Sequence, residues 1–174
     1  MTRIYEHFLN HVPAGGCILD AGSGSGRDTR EFVARGYLVE AFDASPRLAA
    51  LSTRLTGVPT KILRFQDFNT KCHYDGIWAC ASLLHLKRNQ LYDALSRLQQ
   101  ALRPHGVIYV SFKAGTAERI APDGRRFTDL DEESFRQIVQ DVPKLSIIET
   151  WVTSGEGAFR GQGEWLNALL RNLG

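Results

Sequence analysis

A glycine-rich turn between an apolar segment and an amphipathic segment is the part of the sequence best suited to bind a ligand. The glycines at positions 22, 24 and 26 let the backbone turn sharply and approach a ligand closely, because they carry no side chain. Asp20 ends the apolar segment before this turn, and Asp43 ends the next apolar segment. A carboxylate at the position of Asp43 can accept hydrogen bonds from both hydroxyls of a ribose. The pattern therefore indicates a nucleoside-binding site.

The charge of Asp20 helps to choose between the cofactors that such a turn can bind. A dinucleotide would place its pyrophosphate on the turn, where a neighbouring carboxylate costs Coulomb energy. S-adenosylmethionine carries a sulfonium and an ammonium group and no phosphate, so the carboxylate favours it. We therefore expect S-adenosylmethionine as the cofactor. A nicotinamide-dinucleotide-binding oxidoreductase is the alternative from another enzyme class.

Apolar runs alternate with amphipathic stretches along the chain, which predicts a single α/β domain over residues 1–174. Strands are predicted over residues 17–21, 37–42, 61–65, 75–80, 106–112 and 145–153, with a last strand or short helix over residues 165–170. This alternation is typical of a doubly wound, mostly parallel, Rossmann-like sheet of about seven strands with helices on both faces. Ligands of such sheets bind beyond the carboxyl ends of the strands, so the loops after the first four strands should face one site.

Helices are predicted between the strands, and two further segments bear on the site. The helices cover residues 28–34 and 45–56, a stretch around the leucines at 91, 95, 98 and 102, and residues 131–139. Residues 1–16 are interpreted as a short N-terminal helix, since Ile4, Phe8 and Val12 would share one face. Residues 114–130 are polar and contain glycines and arginines, so we interpret them as a lid loop.

Five separated motifs resemble, in order, those of class I S-adenosylmethionine-dependent methyltransferases. They are Ile18–Asp28, Asp43, Gln66–Phe68, Ala81–Leu86 and Leu102–Val107, the last with a histidine where the family commonly has a glycine. In the family, the acid of the third motif binds the adenine amino group and the next residue packs on the ring. The resemblance implies cofactor contacts from Asp20, Gly22, Ser23, Gly24, Arg27, Asp43, Ala44, Gln66, Asp67, Phe68, Ala81 and Ser82.

A finer resemblance links the chain to small bacterial methyltransferases that are similar to tellurite-resistance methyltransferases. It rests on Gly22–Asp28, Phe112-Lys113 and Gly124–Asp129, and it implies a small-molecule acceptor. The chain differs from many relatives in having Ser23 where they have cysteine. Relatives also have one or two helices before the first strand that cover the cofactor, whereas only about fifteen residues precede Cys17 here. A non-catalytic S-adenosylmethionine-binding module is therefore a second alternative.

The implied reaction is an in-line displacement at the methyl carbon, for which positioning and exclusion of water supply most of the rate. An oxygen or nitrogen acceptor would also need a base. His85 follows the fourth strand and is the candidate base, although it could instead cap the next helix. Lys113 and Arg126 are further candidates for the acceptor side. The arginines at 119, 125 and 126 either hold an anionic substrate or form a solvated loop.

Composition excludes several other classes of protein. The net charge is +2 in 174 residues, too low to indicate nucleic-acid binding, and the longest uncharged apolar stretch, residues 76–84, is too short to cross a membrane. The first sixteen residues contain no continuous apolar segment, so we expect a cytoplasmic protein without a secretory signal. We expect a small-molecule substrate and a monomer or homodimer, with no nucleic-acid or membrane partner. The cysteines lack metal-ligand spacing, so no metal site is expected, and they are interpreted as buried: Cys17, Cys72 and Cys80.

Overall fold

A seven-stranded sheet forms the centre of the protein in the computed structural model, which describes residues 1–154 and 163–174. In chain order the strands are β1 (Cys17–Ala21), β2 (Leu38–Asp43), β3 (Thr60–Ile62), β4 (Tyr74–Ala79), β5 (Leu102–Lys113), β6 (Glu118–Ile120), β7 (Arg126–Thr128), β8 (Leu145–Ser154) and β9 (Glu164–Asn172). The sheet order is β3-β2-β1-β4-β5-β9-β8, and β6 and β7 form a separate hairpin. The first five strands of the sheet are parallel, and β9 is antiparallel to both of its neighbours. The predicted doubly wound, mostly parallel sheet is confirmed.

Among the helices that the structure describes, two are preceded by a serine or aspartate whose side chain caps the first turn. The helices are α1 (Thr2–Leu9), α2 (Arg27–Ala34), α3 (Pro46–Thr56), α4 (Arg88–Ala101) and α5 (Glu132–Gln140). Before α3, the hydroxyl of Ser45 accepts a hydrogen bond from the Leu48 amide at 3.3 Å, with a proline in the first turn. Before α5, a carboxylate oxygen of Asp131 accepts one from the Ser134 amide at 2.9 Å. These bonds satisfy amides that the helices leave without an internal partner.

Two apolar layers hold the sheet between its helices. On one face, α1 and α2 bury Tyr5, Phe8 and Phe32 against Trp78 of β4, whose ring stacks on Tyr109 of β5 at 4.1 Å between centroids. On the other face, α4 and α5 bury their leucines and aromatic side chains against β1, β4 and β5. The short N-terminal helix therefore packs on a face of the sheet beside α2.

The structure corrects two predicted elements. The third strand ends at Ile62 rather than at Phe65, because the amide of Leu63 makes the last backbone bond to Asp43 and the chain then turns inward to bury Phe65 against Phe42. Residues 114–130, which we interpreted as a loop, contain the hairpin of β6 and β7. An ion pair at 3.1 Å between Arg119 and Asp129 joins β6 to the residue after β7.

The cysteine prediction is also wrong in part, because Cys72 is exposed, while Cys17 and Cys80 are partly buried. Within residues 1–154 and 163–174, no group of three potential metal-ligating side chains lies together. Among the helices of the same residues, none combines the length and apolar character needed to cross a membrane. The last segment, predicted as a strand or short helix, is strand β9.

The contact between α1 and β4 yields a first prediction. A β-carbon added at Gly76 would lie 2.7 Å from the Phe8 ring and 2.8 Å from a methyl of Val12, closer than carbon atoms pack. Gly76→Ala should therefore lower the free energy of unfolding by about 1–3 kcal/mol, measured by urea denaturation. In a Val12→Ala background the same substitution should cost less, because one of the two clashes is gone. Equal stability of Gly76→Ala and the parent protein would contradict this packing.

Candidate functional site

A cavity of about 440 Å³ lies at the carboxyl ends of β1, β2, β3 and β4. This is where the strand order reverses, which is the position at which doubly wound sheets bind ligands. Residues proposed from the sequence that line the cavity are Gly22, Gly24, Asp43, Ala44, Gln66, Ala81, Ser82 and His85. Arg125, one of the arginines considered for an anionic substrate, also lines it, as does Leu86, the last residue of the fourth motif. Lining residues that were not predicted from the sequence are Phe42, Leu48, Leu63, Arg64 and Phe65.

The other proposed residues lie outside this lining, and each has a different surrounding. They are Asp20, Ser23, Arg27, Asp67, Phe68, Lys113 and Arg126. The structure therefore brings the turns after the first four strands together, as the sequence predicts, but only some of the predicted side chains in each turn line the cavity.

The glycine turn is held against the end of β2 by three backbone amides. The amides of Gly22 and Ser23 both donate to the Phe42 carbonyl oxygen, at 2.9 and 3.0 Å. The Gly24 amide donates to carboxylate oxygen Oδ2 of Asp43 at 2.8 Å. Gly22 has φ +81°, and a β-carbon there would lie 2.5 Å from Cβ of Ser82. Only glycine fits at this position, because the turns after β1 and β4 touch there.

Asp43 combines a structural role with free hydrogen-bonding capacity toward the cavity. Its Oδ1 accepts a hydrogen bond from the Ser45 amide at 2.8 Å, while Oδ2 accepts the bond from Gly24. Each carboxylate oxygen has two lone pairs, so both oxygens can accept a further bond. The side chain is buried and borders the cavity. It can therefore bind a pair of ligand hydroxyls without giving up its bonds to the protein.

The turn after β4 has a strained residue that a buried hydroxyl holds in place. Ala81 has φ +51°, in the left-handed region that residues other than glycine rarely adopt. Its amide donates to Oγ of Ser111 at 2.9 Å, and Ser111 is fully buried on β5. The sequence analysis missed Ser111, although a serine inside the apolar run 107–112 is the signal that could have found it. Ser111 fixes how Ala81 and Ser82 face the cavity.

Two buried hydroxyls beside the glycine turn are available to a ligand. Neither Oγ of Ser23 nor Oγ of Ser82 has a hydrogen-bond partner among the residues that the structure describes. Buried polar atoms are nearly always paired, so such a pair next to a cavity indicates a polar ligand. Ser82 itself lines the cavity.

The far end of the cavity is apolar. Phe42 and Phe65 meet edge to face with centroids 5.2 Å apart, and Leu48 and Leu63 complete this part of the wall. Such a surface can pack against the flat face of a nucleobase. Gln66 and Arg64 are polar residues that border this end, whereas Asp67 lies outside the lining.

Asp67 and Phe68, the pair that the resemblance implies for the adenine ring, have other contacts. The Asp67 carboxylate is exposed and accepts a hydrogen bond from Nε of Arg64 at 2.8 Å. Phe68 is buried and stacks on Phe42 with centroids 5.3 Å apart, so it supports the apolar wall from behind.

Asp20 is turned away from the cavity and buried beneath the glycine turn. Its Oδ2 accepts a hydrogen bond of 2.6 Å from the hydroxyl of Thr29 on α2. Burial, and next the negative charge of Asp28, raise the pKa of Asp20 well above its ordinary value of 3.8. The structure thus departs from the prediction that Asp20 presents a negative charge to the ligand.

Arg27 is held by the acidic residue that follows it. Its Nε donates to Oδ1 of Asp28 at 2.6 Å, and its Nη2 donates to Oδ2 at 3.0 Å. The same carboxylate accepts hydrogen bonds from the Tyr5 hydroxyl at 2.6 Å and from the Trp78 indole at 2.8 Å. Asp28 therefore joins α1, β4 and the start of α2.

His85 has a defined orientation at the opposite end of the cavity. Its Nδ1 lies 2.7 Å from the carbonyl oxygen of Arg126 on the hairpin. A carbonyl oxygen can only accept, so Nδ1 carries the proton and Nε2 is left as an acceptor in the neutral ring. The ring also contacts Phe127 edge to face at 5.0 Å.

Lys113 and Arg126, the other two proposed acceptor-side residues, point elsewhere. The Lys113 ammonium lies 4.3 Å from the centre of the Trp165 ring. The Arg126 side chain borders a shallow groove with Lys87 and Glu118, outside the cavity. Arg125, one residue earlier, lines the cavity instead.

The raised pKa of Asp20 predicts a specific pH dependence of stability. Because this pKa is higher in the folded than in the unfolded state, the folded protein binds more protons above about pH 4. The free energy of unfolding should therefore fall as pH rises, by up to about 1.4 kcal/mol per pH unit from this group. Asp20→Asn keeps an oxygen acceptor for Thr29 and lacks the titration, so the variant should gain stability relative to the parent as pH rises. Urea denaturation at several pH values measures the difference.

The exposed Asp93 provides the control for that experiment, because Asp93→Asn should not show the same growing difference. A stability difference between Asp20→Asn and the parent protein that stays constant from about pH 5 to about pH 8 would contradict the burial of a titrating carboxyl.

Comparison with known proteins identifies relatives in sequence and in structure. Residues 1–143 match the family described as "Methyltransferase domain". The chain is 26% identical over 147 residues to N-terminal Xaa-Pro-Lys N-methyltransferase 1 of Ailuropoda melanoleuca, which covers 78% of this chain and 63% of that protein. The chain thus spans less than two thirds of that curated relative.

Two solved structures share the fold over nearly the whole chain. One is the 1,6-didemethyltoxoflavin-N1-methyltransferase of Burkholderia thailandensis, with bound 1,6-didemethyltoxoflavin and S-adenosylhomocysteine (TM-score 0.81, 20% identity, 97% of this chain and 76% of that chain). The other is an S-adenosylmethionine-dependent methyltransferase of Methanosarcina mazei (TM-score 0.84, 15% identity, 97% and 98%). At these identities the likeness concerns the fold, whereas the family match extends over most of the sequence. The chain belongs to the methyltransferase domain family.

Proposed function

We propose that the protein transfers a methyl group from S-adenosylmethionine to a small-molecule acceptor. The observation that carries this proposal is the buried Asp43 carboxylate, which faces the cavity next to the glycine turn with lone pairs to spare. Family membership supports the same reaction. The Burkholderia structure, which binds S-adenosylhomocysteine in the same fold, adds support for this cofactor.

The residues that line the cavity suit the parts of this cofactor. Asp43 would accept the ribose hydroxyls, and Gln66 with the apolar wall of Phe42 and Phe65 would hold the adenine. The glycine turn and the unpaired hydroxyl of Ser82 border the space left for the amino-acid portion. A dinucleotide would use the same kind of glycine turn and ribose-binding carboxylate, so the family match is what favours S-adenosylmethionine over it.

Bound S-adenosylmethionine supplies an electrophilic methyl carbon next to a sulfonium. The protein must hold the acceptor atom in line with it and keep water away, and Leu86 is an apolar side chain that lines the cavity next to His85. For an oxygen or nitrogen acceptor, Nε2 of His85 would take the acceptor's proton. His85 is exposed, so the proton can then pass to solvent.

The cavity volume and the names of two related proteins indicate how large the acceptor is. The cavity volume of about 440 Å³ is within the range of small-molecule sites, and the Burkholderia enzyme is named for a small heterocycle. The curated relative is named for a peptide N-terminus, which makes a peptide acceptor the second candidate. Labelled S-adenosylmethionine distinguishes them when it is offered with a metabolite extract and, separately, with an Xaa-Pro-Lys peptide. Label only on the peptide would replace the small-molecule proposal.

The cofactor assignment predicts binding that depends on Asp43. S-adenosylhomocysteine should raise the melting temperature, and a nicotinamide dinucleotide should not. Asp43→Ala should weaken S-adenosylhomocysteine binding about tenfold or more in calorimetry, since charge-assisted hydrogen bonds are lost. Asp93→Ala, which removes an exposed carboxylate on α4, is the matched control and should leave binding unchanged. Stabilisation by the dinucleotide alone would indicate an oxidoreductase instead.

The role of His85 as a base predicts that neither of two amide substitutions supports efficient transfer. His85→Asn keeps a donor near the Arg126 carbonyl and removes Nε2, so the transfer rate should fall about 10²–10⁴-fold with unchanged S-adenosylhomocysteine affinity. His85→Gln should restore little of the rate, because a neutral amide cannot accept the proton. Full activity of His85→Asn would show that His85 acts only by contacting the hairpin. Cofactor binding without transfer to any acceptor would favour a binding module.

A further inference from the structure

The hairpin of β6 and β7 brings a positively charged side chain into the acceptor end of the cavity. Arg125 lines the cavity beside His85 and Leu86. Its guanidinium lies 5.4 Å from the centre of the Phe127 ring, which also contacts the His85 ring. One aromatic side chain therefore holds the candidate base and an arginine on the same side of the cavity.

Arg125 has an ion-pair partner that a ligand can replace. Its side chain bonds to Asp123 at 2.7–2.8 Å, and the two side chains are 63% and 51% exposed. Water screens an exposed pair of this kind, so the attraction between the partners is weak. A ligand anion inside the cavity would be screened less than Asp123 is, and it could take over the same guanidinium edge.

Three other charged residues are bound elsewhere or lie at the other end of the cavity. Arg119 makes two hydrogen bonds of 3.1 Å to Asp129, whose side chain is 11% exposed. Arg64 makes an equally exposed ion pair with Asp67, but it follows Leu63 at the apolar end of the cavity, where the proposed cofactor places its adenine. Asp43 lies toward the glycine turn, where the proposed cofactor occupies it. Arg125 is thus the cationic side chain of the described lining that can exchange its partner for the acceptor.

From this arrangement we propose that the methyl acceptor carries a carboxylate or phosphate group, which Arg125 binds while the reacting atom lies near Nε2 of His85. The inference rests on the methyl-transfer function proposed above and specifies its substrate class. An acceptor with an ammonium group next to Arg125 is disfavoured, because the two cations repel each other. A cationic peptide such as the one in the curated relative's name is therefore a poor match.

The test starts from the complete protein, labelled S-adenosylmethionine and a metabolite extract that anion exchange has divided into retained and unretained fractions. Label should appear in a compound of the retained fraction, and mass spectrometry of that compound tells a carboxylate from a phosphate. Label only in the unretained fraction overturns this inference and leaves methyl transfer standing. Label in neither fraction overturns the proposed function, and this inference with it.

A second measurement ties the anion to Arg125. Arg125→Gln should raise KM for the labelled compound about tenfold or more, with a smaller change in kcat and an unchanged Kd for S-adenosylhomocysteine. The unchanged Kd also shows that the variant is folded. Arg54→Gln, which changes an exposed arginine of α3 outside the cavity lining, is the control and should keep the parent KM. A parent-like KM in Arg125→Gln overturns the inference.

Discussion

The hydrogen bond from the Gly24 amide to the Asp43 carboxylate is the interaction on which the site depends. It fastens the turn after β1 to the end of β2, and the close approach of Gly22 to Ser82 fastens the same turn to the loop after β4. Three strand ends that are separate in sequence thereby become one wall. The carboxylate can do this and still face a ligand, because an ionised carboxyl group accepts more bonds than the two backbone amides use.

The turns that line the cavity are stabilised by a polar cluster around Asp28, which lies inside an otherwise apolar layer. Asp28 accepts hydrogen bonds from Tyr5, Trp78 and Arg27, so it links α1 and the sheet to the first turn of the helix that follows the glycine turn. Its charge is also one cause of the raised pKa of Asp20. A short helix that packs on the face of the sheet can therefore stabilise the ligand turn without covering the cavity. In this fold, the helix that stabilises the glycine turn does not also have to cover the cavity.

The sequence was sufficient to predict the strands, the cavity edge and Asp43, and it failed on the direction of individual side chains. Asp20 lies in a central strand that is covered on both faces, so no polar and apolar alternation indicates which way it points. Asp67 and Arg126 lie outside the cavity lining, whereas the residue before each of them does line the cavity. These preceding residues are Gln66 and Arg125. Neighbouring side chains point to opposite faces in a strand and in different directions in a helical turn, and tertiary contacts that a single sequence does not contain decide which one faces the cavity.

The two ends of the cavity are built by different kinds of structure, which explains how relatives can share a fold and differ in acceptor. The cofactor end consists of strand ends and backbone bonds, so most side-chain changes there disturb the sheet itself. The acceptor end depends on a small hairpin, which orients His85 through the carbonyl of Arg126 and contributes the side chain of Arg125. If His85 and Arg125 act as proposed, orientation of the base and choice of acceptor both depend on this one hairpin. A change in that hairpin can alter both properties while the sheet and the cofactor end stay as they are.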